Sequence, residues 1–151
     1  GAPGGPYDAA LSILAFLHIA DRPRLLGACR DALVPGGRLA IEDFTLRRAP
    51  DPDEAEDLRV KVRTPYCPDL PTYRRELAAA GLEVLDVADM TASWTAFTAE
   101  RLAAFRADRD RVEALHGEDV YLGLEDFYAT VAGLYAGGVL GGARILASRA
   151  A

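Results

Sequence analysis

Residues 7–43, YDAALSILAFLHIADRPRLLGACRDALVPGGRLAIED, decide the fold that this sequence predicts. They open with an apolar run, Ala9 to Phe16, which is too short for a membrane span and is typical of a strand buried on both faces. Asp21 is placed to cap the helix that follows. After that helix, the turn Val34–Gly37 leads into a second strand, Arg38 to Asp43. A strand–helix–strand unit in one sheet predicts two parallel strands with a right-handed crossover.

The rest of the chain predicts further helices and strands in alternation. Helical spacing and capping residues indicate helices over 53–63, 70–80, 93–116 and 120–136, and β-leaning runs indicate strands over 82–90 and 141–148. The polar segment 44–68 is long for a connection inside a compact domain, which favours a lid over the site. A solvated charged loop is the alternative for this segment.

Composition and charge exclude several classes of protein. The chain has 151 residues, of which 50% are hydrophobic and 26% charged, a balance typical of one globular domain. The net charge of −6 argues against nucleic acid and against an anionic membrane surface as partners. No apolar run approaches the roughly 20 residues of a membrane helix. The two cysteines, Cys29 and Cys67, form no CxxC motif, so we expect a reduced, cytoplasmic protein.

Two segments together resemble a known family. The run YDAALSILAFLHI, followed after one helix by LVPGGRLAIEDF, resembles the second half of S-adenosylmethionine-dependent methyltransferases of the Rossmann-like class. This resemblance implies an α/β fold with parallel strands and a last strand that inserts antiparallel between the two strands before it. It also implies that residues 1–151 form a single partial methyltransferase domain, with a two-helix insertion over 91–138 that covers the substrate side.

The family's main cofactor-binding motifs are not matched in this chain. In that family a glycine-rich loop follows the first strand, and an acidic residue for the ribose ends the second. The glycine-rich segment Gly1–Pro6 precedes a strand, so we interpret it as the loop between the family's third and fourth strands. The chain is therefore expected to begin within the domain and to be inactive in isolation. Its first strand would then be an exposed edge that favours self-association.

The later part of the chain resembles a narrower group within the family. The segment VRTPY, the pattern P-x-Y-R-R-E-L-x-x-A-G-L and a helical insertion led by Trp94 resemble sarcosine, dimethylglycine and phosphoethanolamine N-methyltransferases. The resemblance implies that Arg63 and Tyr66 bind substrate. The phosphate-binding lysine of the phosphobase enzymes has no match, since Leu146 stands at that position, which argues against a phosphobase as substrate.

Candidate site residues follow the two parallel strands. Ligands of open α/β sheets bind outside the carboxyl ends of the strands, a rule that selects Leu14, Ala15, Phe16 and His18 after the first strand and Glu42, Asp43 and Phe44 after the second. The resemblance implies that the loop with Leu14, Ala15 and Phe16 flanks the methionine part of the cofactor. A place in the hydrophobic core is the alternative for Phe16. His18 is the candidate catalytic residue, because an imidazole can accept an amine proton or position a group that does. A structural histidine is the alternative.

These observations predict methyl transfer from S-adenosylmethionine to a small-molecule acceptor, with an amine nitrogen favoured. The alternative is a non-catalytic half-domain that completes a partner subunit. An oxidoreductase that binds nicotinamide would need a glycine fingerprint that this chain lacks. No pair of ligating residues has the spacing of a known metal motif, so no metal is expected.

Overall fold

A four-stranded sheet with helices on both faces organises the molecule, which we describe from a computed structural model over residues 5–150. The strands are β1 (Tyr7–Ile13), β2 (Leu33–Leu46), β3 (Leu82–Asp89) and β4 (Leu140–Arg149). The helices are α1 (Arg22–Ala32), α2 (Pro52–Val60), α3 (Leu70–Ala79), α4 (Thr91–Ala107), α5 (Arg109–His116) and α6 (Glu118–Ala136), and a single 3₁₀ turn spans Phe16–His18. Residues 1–4 of the glycine-rich segment lie outside the described range.

The strand order is β1–β2–β4–β3, with β1 and β2 parallel and β4 antiparallel to both of its neighbours. This confirms the predicted parallel pair and the predicted place of the last strand. The register runs from Arg38 opposite Ser148 to Leu46 opposite Leu140, so β2 and β4 form the longest ladder of the sheet. Backbone hydrogen bonds along this ladder fix the site-bearing end of β2.

The prediction that the first strand is buried on both faces is wrong. The strand ends at Ile13, and Phe16 belongs to the 3₁₀ turn that follows it. Because β1 is an edge strand that pairs with β2 alone in the described sheet, its apolar side chains stay accessible. Leu11 is 68% exposed and Ile13 is 56% exposed.

The second strand begins earlier than predicted. Leu33 already pairs with Tyr7, and Arg38 pairs with Ala9, so the residues between them bulge out of the ladder. Gly36 has a φ of +76°, a conformation that glycine adopts without steric cost, and it allows the chain to turn within the bulge. The predicted turn is therefore present, but as an irregularity inside β2.

The insertion contains three helices because the first of the two predicted helices divides at Asp108. Asp108 leaves the helical conformation, with φ −99° and ψ 16°, and its carboxylate accepts hydrogen bonds from both Nε and Nη2 of Arg111 in α5. The shorter α5 then leads into α6, which packs against α4. The rings of Phe105 and Tyr121 stack between these helices with centroids 5.1 Å apart.

Two hydrophobic clusters lie on opposite sides of the sheet. One joins the sheet to α1 and α3 through Leu26, Tyr73 and Leu77, and the other joins it to α2 and α6 through residues such as Leu58 and Leu134. The sheet is thus covered by α1 and α3 on what we call the filled face. The insertion helices α4 and α6 lie over the opposite, hollow face, where the candidate site is found.

Candidate functional site

A cavity of about 460 Å³ lies between the carboxyl ends of β1 and β2 and the insertion helices α4 and α6. Six aromatic residues line this aromatic pocket, namely Phe44, Trp94, Phe97, Phe127, Tyr128 and Tyr135. The strands contribute Leu14 and Glu42, and α4 contributes Arg101. The pocket therefore occupies the crevice where open α/β sheets bind ligands, as the sequence predicted for this end of the sheet.

Alternation along β2 separates the two acidic residues that the sequence places side by side. Successive side chains of a strand point to opposite faces, so Glu42 and Phe44 reach the aromatic pocket while Asp43 enters the filled face. The predicted acidic pair is thus two separate groups with different surroundings. Only Glu42 is available to a ligand in the pocket.

Leu14, the residue directly after β1, has an unusual backbone conformation. Its φ is +49°, in the left-handed region that a leucine rarely adopts, and its N–H donates to the carbonyl of Glu42 at 2.8 Å. This bond holds the ends of the two parallel strands together at the pocket. Strained backbone of this kind concentrates at functional sites, and Leu14 presents a side chain that is 40% exposed to the crevice.

The wall formed by Trp94 depends on a glycine of β4. A Cβ atom on Gly142 would lie 2.2 Å from Cε3 of Trp94, so the indole packs directly on bare backbone. The N–H of Met90 donates to the carbonyl of Gly142 at 2.8 Å, which ties the start of α4 to β4. Trp94 also meets the edge of Phe44, with ring centroids 6.2 Å apart.

The pocket contains one charge of each sign. Nε of Arg144 donates to Oε1 of Glu42 at 2.6 Å from the neighbouring strand. Nη2 of Arg101 donates to the hydroxyl of Tyr128 at 3.3 Å, and its guanidinium lies 5.3 Å from the centroid of that ring. The remaining walls are mainly hydrocarbon and aromatic faces, which favour an apolar ligand.

His18 lies in the loop after β1, exposed to solvent and outside the lining of the aromatic pocket. Its Nδ1 is 2.9 Å from the carbonyl oxygen of Arg63. A carbonyl can only accept, so Nδ1 carries the proton in this contact and Nε2 is the acceptor nitrogen of the neutral ring. The structure thus brings together two predicted site residues, although Arg63 contributes its backbone.

The other predicted residues have separate places. Ala15 is exposed in the loop after β1, whereas the side chain of Phe16 is buried in the core of the filled face, in line with the alternative interpretation. Tyr66 donates its hydroxyl proton to Oε1 of Glu76 at 2.7 Å, away from the pocket. Whether Phe16, Arg63 or Tyr66 contacts a ligand stays a prediction.

A buried ionic network that the sequence analysis did not identify supports the site from the filled face. Arg22, only 2% exposed, donates to the carbonyl of Phe16 at 3.2 Å and lies 3.8 Å from Oδ2 of Asp43. Its guanidinium also packs 4.4 Å from the ring centroid of Tyr73, whose hydroxyl donates to Asp43 at 3.0 Å. The network therefore connects the end of β2 to the loop that carries His18. The only local signal was an arginine in the first turn of α1, which resembles any solvated charge.

Burial changes the protonation chemistry around this network. It raises the pKa of Asp43, an effect that the hydrogen bond from Tyr73 and the charge of Arg22 reduce. It also raises the pKa of the Cys67 thiol to about 12, which disfavours the thiolate form that a nucleophilic cysteine requires. The hydrogen bond to Glu76 raises the pKa of Tyr66 to about 12, with burial as the second cause.

Among residues 5–150, no cluster of three or more His, Cys, Asp or Glu side chains is arranged to hold a metal ion. No helix in the same range is both long and apolar enough to cross a membrane.

Two known proteins with sequences related to this chain are both methyltransferases. No family model matches the chain. A phosphoethanolamine N-methyltransferase of Triticum aestivum is 28% identical over 119 residues, which are 79% of this chain and 23% of that protein. A 27-O-demethylrifamycin SV methyltransferase of Amycolatopsis mediterranei (strain S699) is 32% identical over 111 residues, which are 69% of this chain and 40% of that protein. The chain spans less than half the length of either relative.

Solved structures share the fold. A protein assigned as a sarcosine dimethylglycine methyltransferase in Galdieria sulphuraria superimposes with a TM-score of 0.85 at 18% identity, over 97% of this chain and 54% of that one. A phosphoethanolamine N-methyltransferase of Haemonchus contortus, in complex with phosphomonomethylethanolamine and S-adenosylhomocysteine, gives 0.83 at 19% identity, over 96% of this chain and 34% of that one. These neighbours confirm the predicted Rossmann-like methyltransferase fold and, with the two relatives, the predicted resemblance.

Proposed function

We propose that this protein, whose two sequence relatives are methyltransferases, transfers a methyl group from S-adenosylmethionine to an amine nitrogen of a small molecule. The observation that carries the proposal is the aromatic pocket at the carboxyl ends of β1 and β2. Its position matches the crevice where ligands of this class of sheet bind. Arg144 engages one carboxylate oxygen of Glu42, and the other oxygen suits an acceptor that arrives as an ammonium ion.

The chain offers one wall for the cofactor. Leu14 and Ala15 follow β1 at the crevice, and the left-handed backbone of Leu14 leaves its side chain accessible there. An apolar, accessible wall of this type fits the methionine part of S-adenosylmethionine, which supplies the methyl group when it is bound. The described residues would then contribute contacts to that part and orient the acceptor beside it.

The pocket residues would position and desolvate the acceptor. Methyl transfer requires in-line placement of donor and acceptor, and orientation alone can supply several kcal/mol of the barrier, about 7–11 in the best cases. Trp94, Phe44 and Tyr135 provide a rigid floor, because their rings pack edge to face and Trp94 rests on the backbone of Gly142. A rigid floor fixes the acceptor without further ordering cost.

His18 is the proposed proton acceptor. An ammonium has no lone pair, so it must lose a proton before the nitrogen can accept a methyl group. Because the Nδ1 proton is engaged by the carbonyl of Arg63, Nε2 presents a lone pair. His18 lies outside the pocket lining, so it would take this proton through water. The imidazolium then releases the proton to solvent, to which His18 is exposed.

A transfer assay tests the proposal. The protein expressed from its full open reading frame would be incubated with methyl-labelled S-adenosylmethionine and pairs of amines and alcohols with the same carbon skeleton. We expect label in the amine products and little in the alcohols. Absence of label in every amine, with detectable cofactor binding, would contradict amine methylation.

Two alternatives correspond to other outcomes of the same assay. A hydroxyl acceptor is favoured by the relative named 27-O-demethylrifamycin SV methyltransferase and by the mainly apolar walls of the pocket, and it would be indicated by label in the alcohols alone. A non-catalytic domain that completes a partner subunit would show neither transfer nor cofactor binding by itself.

A further inference from the structure

We propose that the aromatic pocket selects amines with a large apolar body and disfavours small, highly polar or phosphorylated amines. This inference rests on the proposed function and narrows its substrate class. It follows from the volume of the pocket, the chemistry of its walls and the distribution of its charges.

The volume suits a ligand larger than the smallest amines. Pockets for drug-sized ligands enclose roughly 300–1,000 Å³, and the aromatic pocket encloses about 460 Å³. Sarcosine or phosphoethanolamine would leave most of that space to water between aromatic faces. An acceptor with an apolar body would displace this water, and each buried methylene would raise the affinity by roughly fourfold.

The cationic groups are poorly placed for a phosphate. Tight phosphate binding normally uses several charge-assisted hydrogen bonds, but Arg101 is the one cation in the described lining. Arg144, the neighbouring cation, is already paired with Glu42, and the hydroxyl of Tyr66 is held by Glu76. A phosphorylated acceptor would therefore be desolvated without adequate partners.

The pocket is better suited to a cation joined to a hydrocarbon. Glu42 lies at the strand end of the pocket, where Arg144 engages its Oε1, so an ammonium would approach its other carboxylate oxygen. Aromatic faces also attract ammonium groups, and Trp94 and Phe44 line the same pocket. The ammonium would face Glu42 and the crevice, while the apolar body would extend along α4 towards Phe97, which is 61% exposed.

A binding titration on the 151-residue chain tests this placement without the cofactor. Trp94 is the sole tryptophan of the sequence and lines the pocket, so its emission reports occupancy. The probes are phenylbutylamine, phenylbutanol, phosphoethanolamine and sarcosine. We expect phenylbutylamine to bind at least about tenfold more tightly than phosphoethanolamine or sarcosine, and a few-fold more tightly than phenylbutanol.

Variants test separately the contact of the apolar body with Phe97 and the contact of the ammonium with Glu42. Phe97→Ser should weaken phenylbutylamine and phenylbutanol about equally, whereas Glu42→Gln should weaken the amine alone. Leu115→Ala is the matched control, since Leu115 is a similarly exposed apolar residue of the insertion, 66% accessible, and lies outside the pocket lining. An equal effect of Leu115→Ala and Phe97→Ser would show that the binding is non-specific and would overturn the proposal.

The proposal would also be overturned if phosphoethanolamine or sarcosine bound more tightly than phenylbutylamine, or if phenylbutylamine did not bind. Calorimetry on the protein from the full open reading frame repeats the comparison without relying on the emission of Trp94. Binding of phenylbutylamine without methyl transfer to any amine would refute the proposed function and leave the pocket inference intact. Transfer to phosphoethanolamine alone would refute the pocket inference and leave the proposed function intact.

Discussion

The two faces of the sheet both carry charged residues beside aromatic ones, but in different surroundings. On the filled face, Arg22 and Asp43 are almost completely buried and pack with Tyr73 in a continuous core. On the hollow face, Glu42 and Arg101 border a cavity whose aromatic walls remain accessible. A charge buried without a cavity must find its partners inside the protein, whereas a charge at a cavity can serve a ligand. The filled face should therefore determine stability, and the hollow face should determine binding.

Substitution of Arg22, at the centre of the filled face, is expected to cause the largest loss of stability. Arg22→Ala would leave Asp43 buried without its cation, and removal of one member of a buried ion pair costs about 3–5 kcal/mol. The free energy of unfolding, from urea denaturation, measures this loss. Arg24→Ala, an exposed arginine on the same helix, should change stability by less than about 0.5 kcal/mol. Equal losses for the two variants would contradict the assigned importance of the network.

A methyl group added at Gly142, beneath Trp94 on the hollow face, should cause the next largest loss of stability. Gly142→Ala would place a Cβ within 2.2 Å of Trp94, and overpacking of this kind costs about 1–3 kcal/mol. The displaced indole should also emit at longer wavelength as it loses its apolar surroundings. Gly123→Ala, in α6 with nothing within 4 Å of its Cβ, should be neutral or slightly stabilising. An unshifted emission from Gly142→Ala would show that the wall relaxes without moving Trp94.

His18 lies where the two faces meet, since Phe16 packs into the core of the filled face and Leu17 into the cluster of the hollow face. In the protein from the full open reading frame, His18→Ala should lower kcat by at least about tenfold, which is about 1.4 kcal/mol of barrier, with cofactor affinity nearly unchanged. His116→Ala, at the end of α5, is the control. A loss explained wholly by weaker cofactor binding would assign His18 a structural role.

The smallest effect concerns Tyr66 at the rim of the filled face. Tyr66→Phe removes its hydrogen bond to Glu76 and should cost about 1 kcal/mol near neutral pH. The folded-state pKa of Tyr66, about 12, lies above its ordinary value, so this contribution is present below that ordinary value and is lost as pH rises through the folded pKa. Urea denaturation of both proteins between about pH 9 and about pH 12 should show the difference shrinking. A constant difference would contradict the assigned hydrogen bond.

The order of elements and the ends of most helices follow from the sequence because their signals are local. Asp51 and Glu54 form a capping box at α2, and Asp69 caps α3, close to the predicted starts. The prediction of one continuous helix over 93–116 was wrong, because the backbone turns at Asp108 although the hydrophobic periodicity of the sequence continues through it. The burial of β1 was also wrong, since an apolar run indicates a strand but says nothing about its neighbours in the sheet.

The sequence by itself determined the parallel strand–helix–strand unit and, through the family resemblance, the place of the last strand. It also indicated the carboxyl ends of the parallel strands, where the aromatic pocket lies. Tertiary structure alone decided that Glu42 and Asp43 serve different faces, that Arg22 is buried, and that aromatic residues from β2, α4 and α6 enclose one pocket. The reason is physical. Periodicity and capping depend on residues a few positions apart, whereas a cavity depends on how distant helices pack over a sheet, which no short stretch of sequence encodes.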